Sequence, residues 1–515
     1  MKKTILALLF LPILISAQSQ RQTSYLSSPD CYVQSFIPLP GGGNLLSGYV
    51  QYGADSTLIN LVFLNDSDVV TSKKIFNTAT QYDILSTTVP FNNGFLIGGK
   101  SSDPSFFHPQ IIKTDASGNV TWAKYFDNTS YWQGQIIRIL PHGNTYSMYT
   151  FAETPFSDFY RIEGDAGGNA FTGQQFTPDT AMSFRVFDAE QMNNSSSHIL
   201  SGHANFNTTA TRAGMLMKTT PSGVQWCKHI TAGGNFKNDI IDVAAGSDGS
   251  SYSLFVCENM PGNQYSTIVL KFDSLGNKVW AKQLSLSSGT LNGSSIIEST
   301  SGDFYIASYD NLLVAYLTKM TSSGTISWTR KWTPSLSGGA NSLKLFKDAN
   351  GNIVFTGKYN SDYFVARLDA NGTGCAFTNT SVISTTNANT VLTNISFTTS
   401  VFAPTTVNET PVYSALAIGE TMLCGGVGIE EEIENQGLFI YPNPVENNMT
   451  IGCGQNAIKS VEIYNSIGER VLAFQFPENN SFASMEINVQ TLSPGIYFIS
   501  ALDGEKIFRS KFIKE

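Results

Sequence analysis

The sequence predicts an all-β chain: a seven-bladed β-propeller of four-stranded antiparallel blades, followed by a small C-terminal β-sandwich. Three observations predict it. A phrase containing a turn glycine and a tryptophan recurs through the middle of the chain at a period of about 50 residues. Each recurrence carries short runs in which apolar and polar residues alternate, separated by Gly, Asn, Asp or Pro. The composition is 41% hydrophobic and 14% charged, with 44 Gly, 34 Phe and 21 Tyr. Disorder needs more charge and fewer aromatics, so that class is excluded. With 31 Lys+Arg against 40 Asp+Glu the chain also lacks the basic excess of a nucleic-acid binder.

At the start, Lys2 and Lys3 precede an apolar stretch from Thr4 to Ile15, and Ile15-Ser16-Ala17 supplies small residues. This reads as a signal peptide over 1–17, cut between Ala17 and Gln18. The stretch is shorter than the roughly 20 residues a membrane span requires, and no later run reaches that length, so no transmembrane segment is expected. Cleavage removes two lysines and no acid, moving the net charge from −9 to −11. An acidic exported chain is a poor partner for nucleic acid or an anionic membrane.

The repeats occupy 18–377. Turn glycines fall at Gly118, Gly168, Gly223, Gly276, Gly324 and Gly372, at intervals of 50, 55, 53, 48 and 48 residues. A degenerate earlier copy begins at Leu61, which makes seven repeats. In the second repeat the four strand-like runs are Asp83 to Pro90, Gly94 to Lys100, His108 to Asp115 and Asn119 to Phe126. The last two are joined by Asp-x-x-Gly-Asn, in which Asp caps the turn and Gly accepts a positive φ. Trp122, Trp226, Trp280 and Trp328 follow the turn glycine at a fixed strand position, which points to packing between blades. Repeats of this form resemble the secreted bacterial β-propeller repeats of large surface proteins. Kelch repeats share the period but not the glycine and aromatic pattern.

Residues 378–424 are rich in Thr, Ser and Asn and bracketed by Cys375 and Cys424; they read as an insert of exposed strands that a Cys375–Cys424 disulfide would close. The six cysteines contain no CxxC pair, so a zinc site is not expected. Cys227 and Cys257, in neighbouring repeats, either pair or remain buried thiols. Gly425 to Gln436 is glycine-rich and then acidic, a linker over 425–436.

Residues 437–515 carry four blocks: the strand ending Tyr441-Pro442-Asn443-Pro444, the hairpin around Gly468, the strand from Gly495 through Tyr497, and a basic end closing at Lys514. In this order they resemble the type A C-terminal sorting domain of the type IX secretion system. The resemblance implies export through the periplasm, recognition by the type IX translocon and sortase machinery, and a final location in the medium or on the outer cell surface.

Motifs for chemistry are sparse. The histidines are His108, His142, His198, His203 and His229; none forms an HExxH, and His198 and His203 project to opposite faces of one strand. No nucleophile elbow, Walker loop or dinucleotide fingerprint occurs, so neither catalytic residues nor cofactor or metal ligands are assigned. Asp348 to Asn352 resembles the start of a calcium loop without its closing glutamate, and reads as a hairpin turn. Asp179-Thr180-Ala181 and Asp273-Ser274-Leu275 resemble bacterial O-glycosylation sites. Asp83, Asp239, Asp242 and Glu298 lie on the first strands of their repeats, where a propeller's channel would be. The expected function is non-catalytic binding or adhesion, with a glycan or protein held by the loops 101–107, 153–158, 205–211 and 258–264. The alternative is a hydrolase of polysaccharide or peptide using channel-mouth carboxylates.

Overall fold

A computed structural model describes residues 22–26, 31–51, 56–78, 82–102, 107–127, 134–151, 158–179, 182–192, 195–206, 212–232, 237–259, 264–332, 343–359, 362–374, 376–414, 419–424, 438–452, 458–466, 468–476, 484–502 and 507–515. The expected signal cleavage at Ala17 and Gln18, the linker 425–436 and most of the four proposed contact loops lie outside them. Two compact units form, Met1–Gly426 and Val427–Glu515. No described helix is long and apolar enough to cross a membrane.

In the larger unit the repeats fold as the alternation requires. The second repeat makes strands Tyr82–Pro90, Gly94–Ser102, Phe107–Asp115 and Val120–Phe126, antiparallel throughout. The Asp-x-x-Gly-Asn turns close as their residues dictate: Asp115 accepts from the backbone of Ser117 and Asn119 at 2.9 and 2.8 Å, and Gly118 takes a φ of +79°.

The expected seven-bladed propeller of four-stranded blades is corrected by the sheets themselves. They are open and mostly five-stranded, and the first two repeats share one ten-stranded sheet, joined by a single parallel pair, Thr57 with Tyr82. The fifth strands come from the segment read as an insert. Running backwards against the repeats, Phe377–Thr380 pairs with Ile326–Trp332, Ile383–Asn387 with Lys278–Leu286, Thr390–Asn394 with Gly223–Ala232, Phe397–Phe402 with Phe171–Pro178, Thr406–Glu409 with Val120–Phe126, and Val412–Tyr413 with Val70–Asn77. Gly419–Cys424 then pairs with Gln22–Leu26, which is itself paired with Asp362–Leu368 of the seventh repeat. The polar, half-exposed alternation of 377–413 is that of an outermost strand, with one face on its sheet and the other in water.

Apolar clusters fill the space between consecutive sheets. Phe184, Leu200 and Met215 of the fourth repeat meet Tyr149 and Phe159 of the third, and Val354 and Val365 of the seventh meet Val33, Leu46 and Val62 of the first. The recurrent tryptophans belong to this packing. A Cβ on Gly168 would come within 2.7 Å of Trp122, one on Gly276 within 2.8 Å of Trp226, and one on Gly372 within 2.3 Å of Trp328, so each indole lies over the next repeat's turn glycine. Cys227 is a free, buried thiol, which excludes its pairing with Cys257. Cys375 is outside the described residues.

The C-terminal unit has a three-stranded sheet, Phe439–Tyr441, Asn448–Gly452 and Ser484–Asn488, and a four-stranded one in the order Arg470–Gln475, Ser460–Tyr464, Gly495–Leu502, Ile507–Lys514. Met449, Ile451 and Ile487 from the first share a core with Val461, Ile463, Ile499 and Phe512 from the second.

Candidate functional sites

In the C-terminal unit the separated sequence blocks meet at the last strand. Asn443 accepts through Oδ1 from the backbone N–H of Ile513 at 2.8 Å, the N–H of Val445 donates to the Ile513 carbonyl at 2.8 Å, and that of Glu515 to Val445 at 3.0 Å. The peptide bonds preceding Pro442 and Pro444 are cis. Gly495 opens the strand whose partner ends at Lys514, and the two residues face each other in register. Tyr497 stacks on Phe512 with centroids 5.6 Å apart while its hydroxyl donates to the Ser493 carbonyl at 2.8 Å. Gly468 takes a φ of +83° in the turn of the hairpin that follows Ser460–Tyr464. Tyr441 is 75% exposed, and Lys514 is buried, its ammonium bonding the carbonyl of Glu515. The arrangement makes a latch: the Pro-Asn-Pro segment holds the chain's terminal strand.

The second candidate is a layer on the first strands of the repeats. Six of these strands carry a bulge, and the residue just after it is Ser35, Thr87, Arg138, Asp188, Asp242 or Ser295. A bulge frees a backbone N–H from its ladder. In three of the six the preceding repeat's side chain accepts such an N–H: Thr88 N–H to Ser35 Oγ at 2.9 Å, Ile296 N–H to Asp242 Oδ2 at 2.8 Å and, more weakly, Val243 N–H to Asp188 Oδ2 at 3.4 Å; Leu345 N–H, on the regular strand Lys344–Lys347 of the seventh repeat, likewise donates to Ser295 Oγ at 3.3 Å. Asp188 is also ion-paired to Arg138 Nε and hydrogen-bonded to Asp242. Burial alone would raise both carboxyls; Arg138 reverses this for Asp188 and holds it low, whereas Asp242, buried beside the Asp188 charge, is pushed well above the usual carboxylate range. Burial and the same neighbour push Glu190 up to about 7, and its carboxylate accepts from Ala245 N–H at 2.8 Å.

The remaining acids read as channel candidates are dispersed. Asp83 accepts from Gln110 at 3.2 Å and from Thr78. Asp239 Oδ1 lies 2.9 Å from His203 Nδ1, and Glu298 caps Ser247, accepting from its N–H at 2.7 Å. Asp348 is a turn cap, accepting from Asn350 and Asn352 at 2.9 Å each. Sequence reasoning missed Asp188, Glu190 and Arg138; superposing the repeats would have placed Arg138 and Asp188 with Asp242 in a column that is Ser or Thr in repeats 1, 2 and 6, while Glu190 lies two residues beyond it.

A third group joins two histidines that the sequence leaves apart. His142 and His198 stack with centroids 4.9 Å apart, their Nε2 atoms 3.1 Å from each other. His198 Nδ1 lies 2.7 Å from the Tyr149 hydroxyl, which reaches Thr219 Oγ1 at 2.8 Å. Burial, then Arg161 and His142, lower His198 to about 3, so the pair is neutral. Among the described residues no group of three or more His, Cys, Asp or Glu could hold a metal ion.

Residues 439–515 match the secretion system C-terminal sorting domain family. No curated protein matches the chain. Among solved structures, a biofilm associated protein, BSP domain, is 12% identical over 95% of this chain and 97% of that one, with a TM-score of 0.11, a likeness too slight to bear on fold or function. The sorting-domain match coincides with the unit in which the sequence blocks converge on the last strand. The chain is a cargo of the type IX secretion system, delivered to the medium or the outer cell surface, and it engages that system's machinery through its C-terminal unit.

Proposed function

We propose that the larger unit is a non-catalytic binding module, carried out of the cell by its C-terminal unit and then released by the sortase or attached to the surface. The observation that carries this reading is the use made of the first-strand carboxylates. Asp188 and Asp242 are 2% and 4% exposed and their oxygens bind backbone N–H groups of the next repeat. They touch each other, whereas a glycosidase pair stands about 5 to 9.5 Å apart around its substrate. Binding is the activity such a scaffold supports, with side chains at sheet ends and connections making the contacts.

Two experiments test the two halves. Deleting Gly437 to Glu515 should leave the protein in the periplasm; unchanged surface delivery would defeat the sorting role in this chain. The purified larger unit, attached to the C-terminal unit, should show no turnover of glycan or peptide substrates. Turnover lost on Asp242→Asn would defeat the binding reading.

A further inference from the structure

A cavity of about 500 Å³ opens at the junction of the fifth and sixth repeats, within the 300 to 1,000 Å³ typical of small-molecule sites. It is bounded by the strands Gln264–Phe272 and Lys278–Leu286, the start of Leu291–Glu298, and the turn after Phe304–Asp310. Thr267 Oγ1 donates to the Leu291 carbonyl at 2.7 Å and ties two of these walls together.

The lining has a consistent chemistry. It contains no Asp, Glu, Lys, Arg or His, although the chain as a whole carries a net charge of −9. Its polar groups are two amides, Gln283 and Asn311, and the hydroxyls of Tyr265, Ser285 and Thr290 among others. Among the described residues none of these five side chains has a hydrogen-bonding partner within the protein, whereas the asparagines of the repeat turns, Asn119, Asn277 and Asn352, are each bonded to their turn aspartate at 2.9, 2.9 and 3.0 Å. Amides and hydroxyls supply donors and acceptors together, and a phenol ring supplies an apolar face. Gly289, at a φ of +97°, keeps the mouth open, since a Cβ there would come within 3.0 Å of Asn311 Oδ1.

We infer that this cavity is a binding site for a neutral carbohydrate, with the amides and hydroxyls of Gln283, Asn311, Ser285 and Thr290 bonding sugar hydroxyls and Tyr265 stacking on a ring face. The inference rests on the binding reading given above and names its ligand class. An acidic sugar would find no cation in the lining, and of its three leucines Leu284 and Leu291 are buried, which leaves a peptide only the half-buried Leu286 as an apolar contact beside the hydroxyl-bearing wall.

Calorimetry on the full secreted chain with maltohexaose, cellohexaose, laminarihexaose and chitohexaose, against trigalacturonic acid and a mixed peptide library, tests it. At least one neutral glycan should bind. Gln283→Ala, Asn311→Ala and Tyr265→Ala should each weaken it tenfold or more, and Tyr265→Phe, which keeps the ring, should weaken it less. The thermal midpoint of each variant should stay at the wild-type value. Failure of every neutral glycan to bind, or preference for the uronate or a peptide, would overturn the assignment. Neutral-glycan binding that these variants leave intact would also overturn this site while the binding reading of the larger unit survives.

Discussion

The indole of Trp328 lies against the α-carbon of Gly372 in the next repeat's turn, so closely that a Cβ there would stand 2.3 Å from Cη2. Gly372 also has a φ of +67°. Two penalties therefore fall on Gly372→Ala: a left-handed backbone, at about 1 to 2 kcal/mol, and an overpacked junction, at about 1 to 3 kcal/mol. Gly302, at +79° with nothing within 4 Å of its Cβ position, should bear only the first. Urea denaturation should show the Gly372 variant destabilised by clearly more than Gly302→Ala; equal losses would mean the tryptophan yields.

The Asp188 and Asp242 carboxyls are predicted to respond unequally to the same substitution. With Asp188 held low and Asp242 pushed up, Asp242 is the partner that favours the protonated form, so Asp242→Asn replaces a neutral donor with a neutral donor and should change stability by less than about 1 kcal/mol. Asp188→Asn removes the counter-charge of Arg138 and should cost about 2 to 4 kcal/mol, somewhat reduced because the arginine side chain is 27% exposed. Paired urea titrations at neutral pH measure both.

Glu409 and His198 give pH dependences of opposite sign. Burial, opposed by a hydrogen bond from Gln110 and reinforced by Asp83, pushes Glu409 up to about 7. Its protonated form is favoured on folding, so its contribution is complete below about 4.5 and is lost as pH rises through 7. His198 is held at about 3, so its contribution is complete above its ordinary value near 6.5 and is lost as pH falls toward 3. The difference in melting temperature between wild type and Glu409→Gln should shrink from pH 4.5 to 7.5, and that for His198→Gln should grow from pH 4 to 6.5. Flat difference profiles would contradict both assignments.

A Cys375–Cys424 disulfide would tie the start of the outer strands to their end. Non-reducing peptide mapping of protein from the culture medium should recover the two cysteines in one cross-linked peptide, and alkylation of Cys375 as a thiol would refute the bond. Reduction should lower the melting temperature, since a loop of this length is worth on the order of 4 kcal/mol.

How much of this was legible follows from the range of each signal. Asp115, Gly118 and Asn119 act on one another within five residues, so the turn and the strands flanking it could be read to within two residues of where they lie. The sorting unit was legible for the same reason, each block being a short strand with its turn. The fifth strands were not. Val407 pairs with Tyr125, and no local pattern in a Thr- and Asn-rich run says which distant edge it covers. The His142–His198 pair and the Asp188–Asp242 contact arise from registers between repeats; superposing the repeats aligns the two aspartates in one column, but that they touch is set by how neighbouring sheets pack.

The reversed course of residues 377–424 sets how the molecule would bear load. With the Cys375–Cys424 bond reduced, tension entering from the C-terminal unit would reach Gly419–Cys424 first, then Val412–Tyr413, then the longer pairings in turn, with Phe377–Thr380 last. Each grip is two to six residues wide, from Val412–Tyr413 to Phe397–Phe402, and lies at a sheet's rim, but Ile383, Phe397 and Phe402 also pack on the apolar clusters, so each of those strands parts only by giving up those contacts. Were the protein attached at a cell surface by its tail, reducing that one bond would turn the strap into a tether with on the order of 160 Å of chain to pay out, where the oxidised form would yield none.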